Sequence, residues 1–167
     1  MTVRETLRAV GVRTLFRKAT VRSSCSGGDR DGRSLADSGP EAVERSRVRH
    51  GPSAILLALM ASGMNGQRFS FHGYLPVEAA ARAAKIRELE QRSKREDATQ
   101  IFIETPYRND QLLEALLEHC TGNTLLCIAA DLTQPAESVA TRTVASWRNE
   151  RPALNKRPAV FLLYRNV

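Results

Sequence analysis

The chain has 167 residues, 42% of them apolar, which is enough for one ordinary domain with a real core. The net charge of +7 is concentrated in residues 1–50, which contain eleven Lys or Arg and six Asp or Glu. Charge alone is therefore weak support for nucleic-acid binding by the rest of the chain. No apolar run reaches the roughly 18 residues that cross a membrane, and the three cysteines form no CxxC pair, so we expect no membrane segment, no metal site and a reducing, cytoplasmic location.

Residues 1–50 differ in composition from the rest of the chain. The stretch "RSSCSGGDRDGRS" (22–34) is rich in Arg, Ser, Gly and Asp and has almost no large apolar side chains. Such a run cannot bury enough area to offset its ordering entropy, so we predict a poorly ordered leader. The preceding "TVRETLRAVGVRTLFRK" is also compatible with a short amphipathic helix or a mitochondrial transit peptide.

An orderly pattern begins at Gly51. Pro52 suits the first turn of a helix, and the apolar residues between Ile55 and Met60 follow at helical spacing. Gly63 is expected to end this helix. "RFSFHGYL" alternates as a strand does, and "PVEAAARAAKIRELEQRSKRE" predicts a long surface helix.

The second half alternates strands and helices. We predict a strand in "TQIFIE", a helix over 110–119, a strand in "NTLLCIAAD" and a final buried strand in "PAVFLLY". Residues 139–148 fit either a strand beginning at Ser138 or a short helix around Val144 and Trp147. This alternation predicts an α/β fold with a mixed or mostly parallel sheet flanked by helices.

Three strand ends are candidate ligand sites, because ligands of open α/β sheets bind outside the carboxyl ends of the strands. They are residues 73–76, 104–108 and 130–133. Glu104 has three interpretations: a general base, a ligand-binding residue, or a carboxylate that bonds turn amides or pairs with Arg108. No catalytic residue is assigned, because the sequence has no nucleophile elbow, phosphate loop or HExxH motif.

Four segments in order carry a family resemblance: "GPSAILLALMASGMNGQRFSFHGYLP", "QIFIETPYRNDQLLEALLE", "LLCIAADLTQPAESVATRTV" and "KRPAVFLL". They resemble the second half of the tetrapyrrole methylase family, in the branch related to the ribose 2′-O-methyltransferase of small-subunit ribosomal RNA. The resemblance implies S-adenosyl-L-methionine as cofactor, held in a cleft between two α/β domains, and a homodimer. The cofactor-binding residues that it implies are Ser53, Ala54, Glu104, Pro106, Arg108, Ala129, Ala130, Leu132 and Thr133.

The region before Gly51 departs from the family pattern. A first domain of roughly a hundred residues with glycine-rich turns is expected there, whereas only fifty residues are present. We therefore expect residues 51–167 to form the C-terminal α/β domain. Residues 1–50 are then expected to be a leader that is a remnant of the N-terminal domain, in a truncated, rearranged or frame-shifted gene.

Three functions follow as alternatives. The first is S-adenosylmethionine-dependent methyl transfer to ribosomal RNA, a tetrapyrrole or another acceptor, in which catalysis rests largely on positioning the acceptor. The second is a catalytically incompetent remnant that acts as a dimerisation or binding module. The third is RNA binding through the Arg-rich leader, which predicts a steep dependence of affinity on salt.

Overall fold

A computed structural model describes residues 52–165, so the predictions for residues 1–50 lie outside the described part of the chain. The elements in chain order are α1 Ala54–Ser62, β1 Phe69–Tyr74, α2 Ala79–Glu96, β2 Thr99–Ile103, a 3-10 turn Pro106–Arg108, α3 Asn109–His119, β3 Leu125–Ala130, β4 Ser138–Thr143, α4 Val144–Asn149 and β5 Ala159–Tyr164. Among these helices none is long and apolar enough to cross a membrane.

The helix ends follow local sequence chemistry. The side chain of Glu78 accepts hydrogen bonds from the amides of Ala80 and Ala81 and so caps α2. The hydroxyl of Thr143 does the same for α4, and Gly63 ends α1 with φ of +68°. The ambiguous region 139–148 contains both predicted elements, because β4 runs directly into α4.

The five strands form one mixed sheet in the order β1-β2-β5-β3-β4. Strands β1 and β2 are parallel, whereas β5 is antiparallel to both β2 and β3, and β4 is antiparallel to β3. Of the two predicted sheet types, the mixed one is therefore confirmed. Because β5 lies between β2 and β3 and opposes both, β1, β2 and β3 all run in the same direction.

Helices cover both faces of the sheet. One face packs Phe102, Leu126 and Phe161 against the apolar sides of α2, α3 and α4. The other face packs residues such as Ile101 and Leu162 against α1, the one helix on that face within residues 52–165. The resulting three layers are the predicted α/β arrangement of a sheet flanked by helices.

Candidate functional site

The carboxyl ends of β1, β2 and β3 meet at one edge of the sheet. In the register of the sheet, Val160 of β5 pairs with Ile103 of β2 on one side and with Ala129 of β3 on the other, while Tyr74 of β1 pairs with Ile103. The residues that follow these strands, including Glu104 and Asp131, therefore lie at the same edge. This is the edge at which the sequence predicts a ligand.

The first turn of α1 points toward the same edge. Ala54 belongs to the apolar cluster that contains Ile103 and Ala129, near the ends of their strands. The other end of the helix lies away from this edge, because the carbonyl of Ser62 accepts a hydrogen bond from the hydroxyl of Thr141 at 2.8 Å, well inside the sheet. Glu104 and the loop after Ala130 thus lie at one edge, and Ser53 directly precedes the first turn of α1, whose Ala54 shares an apolar cluster with Ile103 and Ala129.

Glu104 forms the paired arrangement that the sequence left as one of its interpretations. Its side chain is 2% exposed, and its Oε2 lies 2.6 Å from Nη2 of Arg108. Its Oε1 accepts a hydrogen bond from the amide of Thr105 at 2.7 Å. These two bonds hold the carboxylate in one orientation within the turn. Pro106, in the same turn, is buried.

The loop after β3 (residues 131–137) adopts a strained conformation. Asp131 and Thr133 have φ of 52° and 68°. This left-handed backbone conformation is rare for residues other than glycine and is especially unfavourable for a β-branched residue such as threonine. The amide of Thr133 donates to Oε2 of Glu137 at 2.6 Å, and the amide of Gln134 donates to the carbonyl of Asp131 at 3.0 Å. Backbone strain of this kind is concentrated at ligand-binding sites, so the loop is a candidate part of a ligand-binding site.

The predicted residues differ in what they offer a ligand. Ala54, Pro106, Ala129 and Ala130 are buried, so their side chains serve packing and only backbone groups remain for binding. Four predicted residues keep accessible surface, since Ser53, Arg108 and Leu132 are half-buried and Thr133 is exposed. Metal binding has no support in residues 52–165, where no group of three His, Cys, Asp or Glu side chains is arranged to hold an ion.

Tyr74 is a polar group at this edge that the residue predictions did not include. Its hydroxyl is buried and has no hydrogen-bond partner within residues 52–165. Burial, and secondly the charge of Glu104, raise the pKa of Tyr74 above its ordinary value. The sequence did indicate the region of Tyr74, because residues 73–76 were one of the three strand ends predicted as candidate ligand sites.

Arg157 is a second residue at this edge that sequence reasoning missed. Its Nε donates to Oδ2 of Asp131 at 2.6 Å, and its Nη2 donates to the carbonyl of Ala136 and the hydroxyl of Ser138, both at 3.0 Å. The segment "KRPAVFLL" that contains it carried part of the family resemblance, but no residue in it was assigned to the site. These bonds join Arg157 to both ends of the strained loop after β3.

Several known proteins are similar in sequence to this chain. The ribosomal RNA small subunit methyltransferase I of Vibrio cholerae is 32% identical over 117 residues, which cover 68% of this chain and 39% of that protein. The protein of the same name from Mesorhizobium japonicum is 38% identical over 94 residues, covering 56% of this chain and 31% of that protein. These relatives confirm the family resemblance predicted from the sequence.

The extent of these matches is partial. The chain spans about a third of the length of the curated relatives that it matches. No protein-family model matches the chain. Among solved structures, that of the methyltransferase CobJ superimposes with a TM-score of 0.48 at 21% identity, covering 69% of this chain and 48% of that one.

Proposed function

We propose that this chain takes part in S-adenosylmethionine-dependent methyl transfer, with ribosomal RNA as the acceptor. The observation that carries the proposal is the position of Glu104 and the strained loop at residues 131–137 at one edge of the sheet, with Ala54 of α1 in the apolar cluster beneath it. The names of the relatives support both the reaction and the RNA acceptor.

The groups at this edge fit a small polar cofactor. S-adenosylmethionine supplies an activated methyl group, so the protein needs no nucleophile of its own and contributes mainly orientation. The groups available are the hydroxyl of half-buried Ser53, the backbone of the 131–137 loop and the hydroxyl of Tyr74, which has no hydrogen-bond partner among residues 52–165. A buried polar atom without a partner costs free energy, and a ligand that bonds it recovers that cost.

The ion pair of Glu104 and Arg108 has a defined part in this proposal. It holds the turn after β2 in one conformation, since both carboxylate oxygens of Glu104 are bonded within five residues of chain. The nearby backbone groups are then fixed before a ligand arrives. Preorganisation of this kind raises affinity because less ordering occurs on binding.

We also propose the domain organisation and assembly that the resemblance implies. Residues 51–167 would be the C-terminal domain, with residues 1–50 a remnant of the N-terminal one, in a cytoplasmic homodimer. The described residues support an interface on the face of α1 and β1, where Leu56, Met60, Phe69 and Phe71 are exposed apolar side chains. Analytical ultracentrifugation tests the dimer, and a monomer at all concentrations contradicts it.

Calorimetric titration of the full chain with S-adenosylmethionine and S-adenosylhomocysteine tests the cofactor. We expect both to bind, and we expect Ser53→Ala to weaken binding without large loss of stability, because the Ser53 side chain makes no helix-capping hydrogen bond. Ser146→Ala, an exposed serine on α4, is the matched control and should bind as the unaltered chain does.

The acceptor is tested separately from the cofactor. Transfer of a labelled methyl group to small-subunit ribosomal RNA is the expected result, with protein-free RNA as background. If the chain shows no cofactor binding even at millimolar concentrations, the enzyme proposal is wrong for this chain, and the non-catalytic binding module becomes the better description.

A further inference from the structure

A short stretch before β5 contacts both loops of the candidate site. We call residues 154–158 the linking segment. The amide of Lys156 donates to the carbonyl of Pro106 at 3.1 Å, and Nδ2 of Asn109 donates to the carbonyl of Arg157 at 2.6 Å. The linking segment is therefore bonded to the turn that contains Glu104.

The same segment is bonded to the loop at residues 131–137. The amide of Asp131 donates to the carbonyl of Pro158 at 2.9 Å, and Nε of Arg157 lies 2.6 Å from Oδ2 of Asp131. The Nη2 of Arg157 reaches further along the loop, to the carbonyl of Ala136 and the hydroxyl of Ser138. One side chain thus spans the loop from its first residue to the start of β4.

The chemistry of these bonds requires an arginine. Guanidinium is planar and presents five donors in a fixed fork, so it can bond several acceptors at once, whereas the ammonium of lysine acts as a compact point charge. The acceptors around Arg157 are a carboxylate, a carbonyl and a hydroxyl in different directions. The bonds from Arg157 hold a loop in which two residues have left-handed backbone conformations. Without these bonds, we expect the loop to move to a less strained conformation.

We propose that Arg157 is a positioning residue of the candidate cofactor site, holding the 131–137 loop in a fixed relation to the turn after β2. The inference rests on the proposed function, because it assumes that the edge binds S-adenosylmethionine. Arg157 acts through Leu132 and Thr133, whose positions it fixes. The cofactor affinity of the chain therefore depends on a side chain that is bonded to the loop and acts through it.

Arg157→Ala and Arg157→Lys in the full chain test this role, with S-adenosylhomocysteine as the calorimetric probe. Both variants are expected to bind on the order of tenfold more weakly than the unaltered chain, because small displacements of a binding group are costly. Lysine should fail to restore affinity although it keeps the charge. Measurements are made at a temperature where circular dichroism shows every variant folded.

Arg148→Ala is the matched control within this chain. Arg148 also bonds backbone carbonyls, those of Leu117 at 2.9 and 2.7 Å and of Cys120 at 3.0 Å, but it fixes the end of α3, away from the candidate site. We expect Arg148→Ala to lower the stability of the fold and to leave the affinity for S-adenosylhomocysteine unchanged.

A second readout separates positioning from general stability. Hydrogen exchange of the amides in residues 131–137 should increase in Arg157→Ala and stay unchanged in Arg148→Ala. If folded Arg157→Ala binds as tightly as the unaltered chain, the positioning role is wrong while the proposed function stands. If the unaltered chain binds no cofactor, the proposed function and this inference are both wrong.

Discussion

The Oε2 of Glu104 lies 2.6 Å from Nη2 of Arg108, and the two residues are four apart in the turn after β2. The carboxylate side chain is 2% exposed and the guanidinium side chain 28%, so the negative charge is buried while its partner reaches solvent. A buried charge is tolerated when it is paired, and removing the partner leaves it uncompensated. The pair is therefore a structural requirement of the turn as well as a feature of the candidate site.

Arg108→Ala should lower the free energy of unfolding by about 3 kcal/mol, because within residues 52–165 it leaves the buried carboxylate of Glu104 with the Thr105 amide as its remaining bonded partner. Urea denaturation measures the change. The double variant Glu104→Gln with Arg108→Ala should recover part of the loss, since the neutral amide is cheaper to bury than the charge. A double variant no more stable than Arg108→Ala would contradict this explanation.

Tyr74→Phe should leave the stability unchanged or raise it by up to about 1 kcal/mol, because the hydroxyl is buried without a partner in the described chain. Tyr164→Phe is the matched control, since the hydroxyl of Tyr164 donates to Oδ1 of Asp97 at 2.5 Å. Loss of that bond to a carboxylate should cost about 1–2 kcal/mol. Equal losses for the two variants in urea denaturation would show that the Tyr74 hydroxyl is bonded in solution.

The sequence predicts the elements well where one local signal dominates. Gly63 ends α1 because only glycine adopts its φ of +68° at little cost, and the closing strand is buried over its first five residues, as its continuous apolar run predicts. The strand-end rule also located the candidate edge, because it depends only on strand direction and chain order.

The order of strands and the contacts of Arg157 were not predictable in the same way. The position of β5 between β2 and β3 depends on contacts between residues far apart in the chain. The hydrophobic pattern of β5 does not show whether the strand pairs parallel or antiparallel to its neighbours. Arg157 looked like an ordinary basic residue, since its partners Asp131, Ala136 and Ser138 are about twenty or more residues away along the chain. The candidate site was therefore predicted as a set of segments, without the side chain that joins them.

Thr133→Gly should raise the free energy of unfolding by about 1 kcal/mol, because glycine removes the penalty of a β-branched residue at φ of +68°. Gly63→Ala makes the opposite change, from glycine to a residue with a side chain, at the same φ of +68°. A Cβ added at Gly63 meets no atom within 4 Å, so the cost of Gly63→Ala, about 1 kcal/mol, is conformational. Destabilisation by Thr133→Gly in urea denaturation would mean that contacts of the threonine side chain outweigh the backbone strain.

Alkaline pH should destabilise the fold through its buried thiols. Burial, and secondly the charge of Glu90, raise the pKa of Cys120 to about 12, and burial also raises the pKa of Cys127. The folded pKa exceeds the unfolded one, so the stabilisation is fully present below about pH 8.5 and is lost as pH rises toward the folded pKa. Each thiol contributes a slope of up to about 1.4 kcal/mol per pH unit in that window, because the unfolded state releases the proton first.

Urea denaturation between about pH 7.5 and 9.5 measures this slope under reducing conditions. A Cys25→Ser background removes the remaining thiol, and Cys120→Ala in that background removes the one with the largest shift. The alanine variant should lose stability less steeply above about pH 8.5 than its parent, because one proton fewer is released on unfolding. Parallel curves for the two proteins would show that the Cys120 thiol titrates in the folded chain as it does in the unfolded one.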